Sequence, residues 1–493
     1  MDATQFREAA HAAIEQIIDY YSTIQDRRVV SSVSPGYLRL LLPDHAPQNG
    51  ECWAEIQPDI ERCIMDGLTH WNHPNFMAYF PANSSYAGIL GELYSAAFTA
   101  PAFNWLCSPA ITELETIVMD WVCKLLSLPE CYLSCGEGGG VIQGSTSEAV
   151  ATVMVAARER MVRRATRGLS GEEAERKEDE VRRKLIALAS DQAHSCTQKG
   201  AIIAGTKFRT ITTQEEGNFS LNGSNLKKML EDCCSKGLLP YYLTVNLGAT
   251  NTCAVDNFEE IAQVLEGWPE VWVHVEGAFA GAALTCPEYQ HLSKDFGRFN
   301  SFGFNMHKWL LTNFDASCLF VKTRSDLTSA LSVTPSYLRN EFSDSGLVTD
   351  YRDWQIPLGR RFRSLKVWFV LRSYGISGLQ SHIRGHIRLG ELFHSLVASR
   401  PDLFRVIAGP IFALTVLAVI PARGQMIEDA NALTKNVYDL INKRGEIFLT
   451  STVVGGTYAI RVVSGSPNSA ETNIRRAFDI LVETTEEVLG RSV

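Results

Sequence analysis

Lys308 lies in the apolar segment Ser301-Phe302-Gly303-Phe304-Asn305-Met306-His307-Lys308-Trp309-Leu310, and Glu276 closes the apolar run Trp272-Val273-His274-Val275. A lysine among apolar neighbours can be held as a free amine that condenses with an aldehyde. A carboxylate nearby can keep a pyridine nitrogen protonated. Together they meet the two chemical needs of pyridoxal phosphate. Either alone has an ordinary explanation: a lysine beside an aromatic ring commonly packs its stem and keeps its ammonium in water, and a carboxylate ending a strand commonly caps the next turn.

A third element suits the phosphate of the same cofactor. Residues 136–149 read Gly-Glu-Gly-Gly-Gly-Val-Ile-Gln-Gly-Ser-Thr-Ser-Glu-Ala and run into helical apolar spacing at Val150, Val153, Met154 and Ala157. Ser145 with Glu148 reads as a capping box, so a helix is expected to begin there with its first amides unpaired. Its dipole favours an anion, Gly144 lets the backbone approach, and the hydroxyls of Ser145, Thr146 and Ser147 can donate. The loop has no Gly-Lys-Ser/Thr ending, and no Gly-x-Gly-x-x-Gly opens a helix directly after a strand, so neither common nucleotide motif applies.

Positioning these groups requires an α/β frame. Short apolar strands are expected at 185–189, 201–204, 241–246, 271–275 and 316–321, with helical patterns at 221–236 and 257–267 between them. Such alternation implies a parallel sheet buried on both faces. Residues 4–25 form an amphipathic helix pattern with Phe6, Ala10, Ile14, Ile17, Ile18 and Tyr21 on one side. The prolines and glycines of 33–49 separate that helix from any core of its own, so a partner subunit is its expected support. The charged stretch 158–184 reads as a solvated helical extension ending in a surface loop. After a long helix at 364–399 come two strands, a helix, a hairpin (447–454 and 458–463, turning near Gly455-Gly456) and a closing helix. The expected division is a helical arm at 1–85, a large cofactor domain at 86–363 and a small α+β domain at 364–493.

Bulk properties narrow the function. A chain of 493 residues exceeds what one core supports, and 45% hydrophobic with 20% charged residues is ordinary globular composition. A net charge of −9 gives no electrostatic footprint for nucleic acid or anionic lipid, so a small-molecule substrate is the expected partner. The twelve cysteines show no even framework and no Cys-x-x-Cys, so neither disulfides nor a metal site is expected. The N-terminus lacks the apolar core of a secretory signal, and the apolar run 411–420 is too short to span a bilayer; a cytoplasmic location is expected.

Several further stretches carry a family resemblance: His73-Pro74-Asn75-Phe76, residues 108–115 (Ser-Pro-Ala-Ile-Thr-Glu-Leu-Glu), the glycine and serine loop, Ser190-Asp191-Gln192-Ala193-His194-Ser195, and residues 354–361 (Trp-Gln-Ile-Pro-Leu-Gly-Arg-Arg). On these words the chain resembles, over nearly its whole length, the group II pyridoxal phosphate decarboxylases that act on aromatic amino acids. The resemblance implies a fold-type I homodimer with a seven-stranded, mostly parallel sheet, its N-terminal arm wrapped on the partner. It implies that Lys308 links to the cofactor aldehyde while Ser145, Thr146, Ser147, Asn305 and His307 surround the phosphate. His194 would stack on the ring, with Ala278 against the opposite face. Tyr337, in Thr334-Pro335-Ser336-Tyr337, would donate the proton that completes the reaction, and Trp71, Tyr79, Phe80, Pro81 and Phe103 would line the pocket for the aromatic side chain. Gly359 leaves room there for an indole. The implied product is an arylalkylamine. Relatives that release an aldehyde instead replace the loop tyrosine with phenylalanine or the stacking histidine with asparagine, and this chain keeps both.

The chain departs from the family pattern in one neighbourhood. Where the family writes Asp-Ala-Ala-Tyr, residues 276–279 read Glu-Gly-Ala-Phe. The extra methylene of Glu276 moves the carboxylate roughly 1.5 Å further out unless the backbone yields, and Gly277 is the expected source of slack. Met306 replaces a usual proline, loosening the backbone there. Ala249 replaces a usual threonine, removing a hydroxyl worth roughly 1 kcal/mol. Tuned chemistry, a modified substrate or a silent cofactor-binding protein would each fit such changes.

Overall fold

The structure, a computed structural model, describes residues 1–333, 338, 340–344, 348–421 and 427–490. Seven strands form the large sheet: β1 (Gly139–Gln143), β2 (Leu185–Ser190), β3 (Lys207–Ile211), β4 (Leu239–Asn246), β5 (Trp272–Glu276), β6 (Ser301–Asn305) and β7 (Ser317–Val321), in the order β1-β7-β6-β5-β4-β2-β3. Only β7 runs against its neighbours. The central strands are buried along their length, as expected where helices cover both faces of a parallel sheet. The helix Thr146–Ala165 lies across one face, burying Val150, Val153, Met154 and Ala157.

The expected strand at 201–204 is instead the end of a helix, Cys196–Ile203. Its buried residues, Cys196, Thr197, Gly200, Ala201 and Ala204, follow the helical period, while Ile202 and Ile203 face outward. The charged stretch is also more helical than expected, since Gly171–Lys184 is a second helix where a surface loop was expected. Strands β1, β3 and β6 had no counterpart in the pattern reading. In β1 the glycines serve close approach: a Cβ on Gly140 would meet Met119 Cε at 2.5 Å and Phe320 Cε1 at 2.8 Å.

The second sheet comprises β8 (Phe404–Ile411), β9 (Leu414–Val419), β10 (Thr450–Val454) and β11 (Thr457–Val463), antiparallel in the order β10-β11-β9-β8. The β10–β11 hairpin turns at Gly455 and Gly456, both with positive φ. Helices Ile427–Arg444 and Glu471–Val488 pack with it around Leu417, Ile460 and Ile474. The long helix Arg363–Ala398 joins the two units and breaks at Gly375, where φ is 62°. At the head of that helix, Arg360 is buried in a two-toothed pair with Glu115, at 2.9 and 2.6 Å, and also donates to the Ile142 carbonyl. This pair ties β1 to the segment that leads into the long helix.

Candidate active site

Strand polarity collects the chemistry. The registers Gln143↔Ser317 and Asn305↔Ser317 put the ends of β1 and β6 on either side of one residue of β7. The registers Asn246↔Glu276 and Glu276↔Gly303 bring the end of β5 to the same edge. Carboxyl ends of parallel strands are where open α/β sheets hold ligands.

At this edge Ser145 caps the helix Thr146–Ala165, its hydroxyl accepting from Glu148 N at 3.2 Å. The expected capping box is displaced by one residue, because Glu148 Oε2 accepts from Gly144 N rather than from Ser145. The amides of Thr146 and Ser147, in the first turn, have no intrahelical acceptor and stay available for an anion. Thr146 Oγ1 donates to Asn305 Oδ1 at 2.8 Å, and Ser317 Oγ donates to the same oxygen at 2.9 Å. Asn305 thereby fastens the helix start to the short helix Met306–Trp309 that carries Lys308. His307 is buried, its Nδ1 accepting from Ala316 N at 2.9 Å, and burial pushes its pKa down to about 3.

Lys308 opens into a cavity of about 490 Å³ lined by Trp71, Tyr79, Phe80, Ala82, His194, Thr250, His307, Lys308, Phe314 and Arg461. Desolvation lowers the Lys308 pKa, opposed by the Glu276 carboxylate and reinforced by the Arg461 guanidinium. A lowered pKa enlarges the fraction present as free amine, the form that attacks an aldehyde. Glu276 is 3% exposed, and its Oε1 accepts from Ala278 N at 2.7 Å. Gly277 is crowded by its neighbours. Its φ is not positive, and an added Cβ would sit 3.0 Å from Phe302 Cε2 and 3.3 Å from Gly281 Cα. The glycine is therefore set by close packing. Burial lowers the His194 pKa, and its Nδ1 accepts from Cys196 N at 3.1 Å. In the neutral ring the proton then resides on Nε2.

The floor of the cavity is a stack of rings. Phe80 lies 4.2 Å from Phe279, which lies 4.2 Å from Trp309, and Trp309 Nε1 donates to His386 Nδ1 at 2.9 Å. Trp71 and Tyr79 stack at 5.7 Å on the wall.

Of the residues singled out from sequence, Trp71, Tyr79, Phe80, His194, His307 and Lys308 share this cavity. Thr146 and Asn305 join it through their hydrogen bond. Ala278 is buried at the same strand edge, its carbonyl accepting from Asn305 N at 3.0 Å. Pro81 is buried and does not line the cavity. Phe103 and Gly359 lie in adjoining segments, tied by Arg352 N to Phe103 O at 3.3 Å and Arg360 N to Pro101 O at 2.7 Å, and both are away from the lining of this chain's cavity. Tyr337 lies outside the described residues. The sequence reading missed Arg461; its signal was a lone cation inside the apolar strand Tyr458-Ala459-Ile460-Arg461-Val462-Val463.

These groups fit pyridoxal phosphate: a helix start for the phosphate, a desolvated lysine for the aldehyde and a buried carboxylate at the same strand edge. Comparison with known proteins agrees. Residues 35–419 match the pyridoxal-dependent decarboxylase conserved domain. The chain is 42% identical to phenylacetaldehyde synthase of Arabidopsis thaliana, covering 100% of this chain and 98% of that protein. It is 41% identical to aromatic-L-amino-acid decarboxylase of Rattus norvegicus, covering 99% of each. The crystal structure of Oryza sativa TDC with PLP and tryptamine superposes with a TM-score of 0.94 at 35% identity, covering 99% of each chain. The chain belongs to the pyridoxal-dependent decarboxylase family and is a pyridoxal phosphate-dependent carboxy-lyase of the aromatic-L-amino-acid decarboxylase kind.

Proposed function

We propose that the protein removes the carboxyl group of an aromatic L-amino acid of the tyrosine, dihydroxyphenylalanine or tryptophan type, releasing the arylalkylamine and carbon dioxide. The observation that carries this reading is the cavity itself, where the aromatic walls of Trp71, Tyr79 and Phe80 meet Lys308 and His194 in one space. Bound pyridoxal phosphate supplies the electron sink for the pair released when the bond from Cα to the carboxylate breaks. Ser145, Thr146, Ser147, Asn305 and His307 hold the phosphate end. Glu276 would hold a proton at the pyridine nitrogen, and His194 and Ala278 would hold the ring. Tyr337 returns a proton to Cα, an assignment that rests on the resemblance of its loop. Retention of His194 and Tyr337 favours the amine over the aldehyde that the Arabidopsis relative is named for.

Phe103 and Gly359 belong to the same site through a second copy of the chain. Beside them Leu106, Ile356 and Leu358 are exposed, as are Phe6, Ile14 and Ile18 on the N-terminal helix, which gives a homodimer apolar area to bury. Among the described residues no helix is long and apolar enough to cross a membrane.

The test is to incubate the holoenzyme with a panel of aromatic amino acids and to weigh the products. An amine with carbon dioxide supports the reading. Aldehyde with ammonia and peroxide, or no product from any member, rejects it.

A further inference from the structure

One strand of the small sheet, β10, is bonded to two walls of the active-site cavity. Thr450 and Thr452 are two apart on it and so share a face. Thr450 Oγ1 accepts from Tyr79 N at 3.2 Å, which fastens the aromatic wall. Thr452 Oγ1 donates to Asn251 Oδ1 at 2.9 Å, and Asn251 Nδ2 donates to Gln192 Oε1 at 3.3 Å. Gln192 is 5% exposed and stands two residues before His194 in the turn that follows β2, and its Nε2 donates to Asp191 Oδ1 at 3.1 Å. A path of hydrogen bonds therefore runs from the small sheet through Asn251 to the turn that presents His194.

The direction of every link is set at one end. The Asp191 carboxylate can only accept, so the Gln192 amide turns its nitrogen to Asp191 and its oxygen to Asn251. That oxygen can only accept as well. Asn251 therefore gives its nitrogen to Gln192 and its oxygen to Thr452, whose hydroxyl donates. Asp191 is itself fastened, its Oδ1 accepting from Thr213 Oγ1 at 2.6 Å. The Asn251 carbonyl also accepts from Arg461 Nε at 3.0 Å, which holds the residue to both strands of the β10–β11 hairpin. The bond from Cys196 N to His194 Nδ1 fixes the ring within its own turn, and the bonds of Asp191 and Gln192 fix that turn to neighbouring segments.

We propose that Asn251 is a positioning residue for His194, locking the turn from Ser190 to His194 onto the small-sheet hairpin and so setting the imidazole against the cofactor ring. This inference rests on the reading above that His194 holds the ring, and it adds the residue that places the histidine. Asn251 is not among the residues lining the cavity, so it acts through the turn rather than on the substrate. An amide suits the post because it donates from one atom and accepts at the other. A carboxylate of the same shape cannot do both.

The experiment reverses the polarity of the path. Asn251→Asp keeps the shape and the bond from Thr452 but sets an acceptor against Gln192 Oε1, and turning the Gln192 amide over only moves the conflict to Asp191. Adding Asp191→Asn removes the conflict, because the path can then run the other way with the Thr213 hydroxyl turned to accept. Holoenzyme of each variant is compared with wild type by circular dichroism of the bound cofactor and by amine release. Asn251→Asp should alter the dichroism and lower kcat about tenfold, which corresponds to about 1.4 kcal/mol. The double variant carries the same new charge, yet should recover the wild-type dichroism and a kcat within about threefold of wild type. Thr452→Val cuts the path at the small sheet, should lower kcat by about threefold, and carries the test if Asn251→Asp does not fold. A double variant as impaired as Asn251→Asp, or wild-type dichroism and kcat in both Asn251→Asp and Thr452→Val, overturns the proposal. If wild-type protein makes no amine, the functional reading fails, while the dichroism of the same variants still tests Asn251.

Discussion

The phosphate end and the ring end of the cavity are fixed to different degrees. At the phosphate end Asn305 Oδ1 accepts two hydroxyls, Ser145 caps its helix and Glu148 holds Gly144. At the ring end Glu276 has a single hydrogen bond, to the amide two residues on. The contrast separates anchoring from tuning. On the proposed reading, the chain keeps the groups that would retain the cofactor and differs at Glu276, which would face its ring, a pattern that fits altered selectivity better than a lost site.

The largest effect belongs to the residue that both ends share. Lys308→Ala should lower turnover by about 10³-fold or more, measured as amine release, and should abolish covalent capture of the cofactor. Next comes the phosphate end. Asn305→Ala leaves two hydroxyls without their acceptor and should weaken pyridoxal phosphate binding by about ten- to a hundredfold, read by fluorescence titration of apoprotein. Affinity unchanged in that variant would break the claim that anchoring is concentrated there. The ring end should respond to charge rather than length: Glu276→Asp should retain or raise turnover, whereas Glu276→Gln should lower it by about tenfold or more. Equal loss in both variants would mean that the glutamate acts by shape.

A pH profile sharpens the same contrast. Because burial lowers the Lys308 pKa, attachment of pyridoxal phosphate to apoprotein should accelerate with rising pH, with a midpoint below the ordinary lysine value of 10.5. Glu276 raises that pKa and Arg461 lowers it, so Glu276→Gln should move the midpoint further down and Arg461→Gln should move it up.

A further effect concerns stability. His274 and His307 are buried with pKa values lowered from 6.5 to about 3. The unfolded chain takes up these protons first, so stability is full above about pH 6.5 and falls as pH drops toward 3. Each histidine costs about 1.4 kcal/mol per pH unit within that window. Denaturant melts of the His274→Asn variant should show a shallower acid slope than wild type.

Much of this site was legible in the sequence because its signals are local. Lys308 and Glu276 announce themselves by their apolar flanks, and the start of the helix at Thr146 by Ser145 three residues before Glu148. The α/β class followed from strands β2, β4, β5 and β7, each a short apolar run. What escaped was whatever depends on contacts between distant segments. Strand β1 is hidden in glycines whose purpose, contact with Met119 and Phe320, exists only after folding. Residues 201–204 are too short for an apolar run to reveal its period. Arg461 looked like one basic residue in a hairpin until the small sheet placed it over Phe80. The crowding of Gly277 by Phe302 and Gly281 likewise exists only after folding.

The account stands on attachment of the cofactor to one side chain. Protein saturated with pyridoxal phosphate, reduced with borohydride and mapped by peptide mass should carry a single pyridoxyl group, on Lys308. An unlabelled Lys308 in protein that has bound the cofactor, or a label on another lysine, would contradict it.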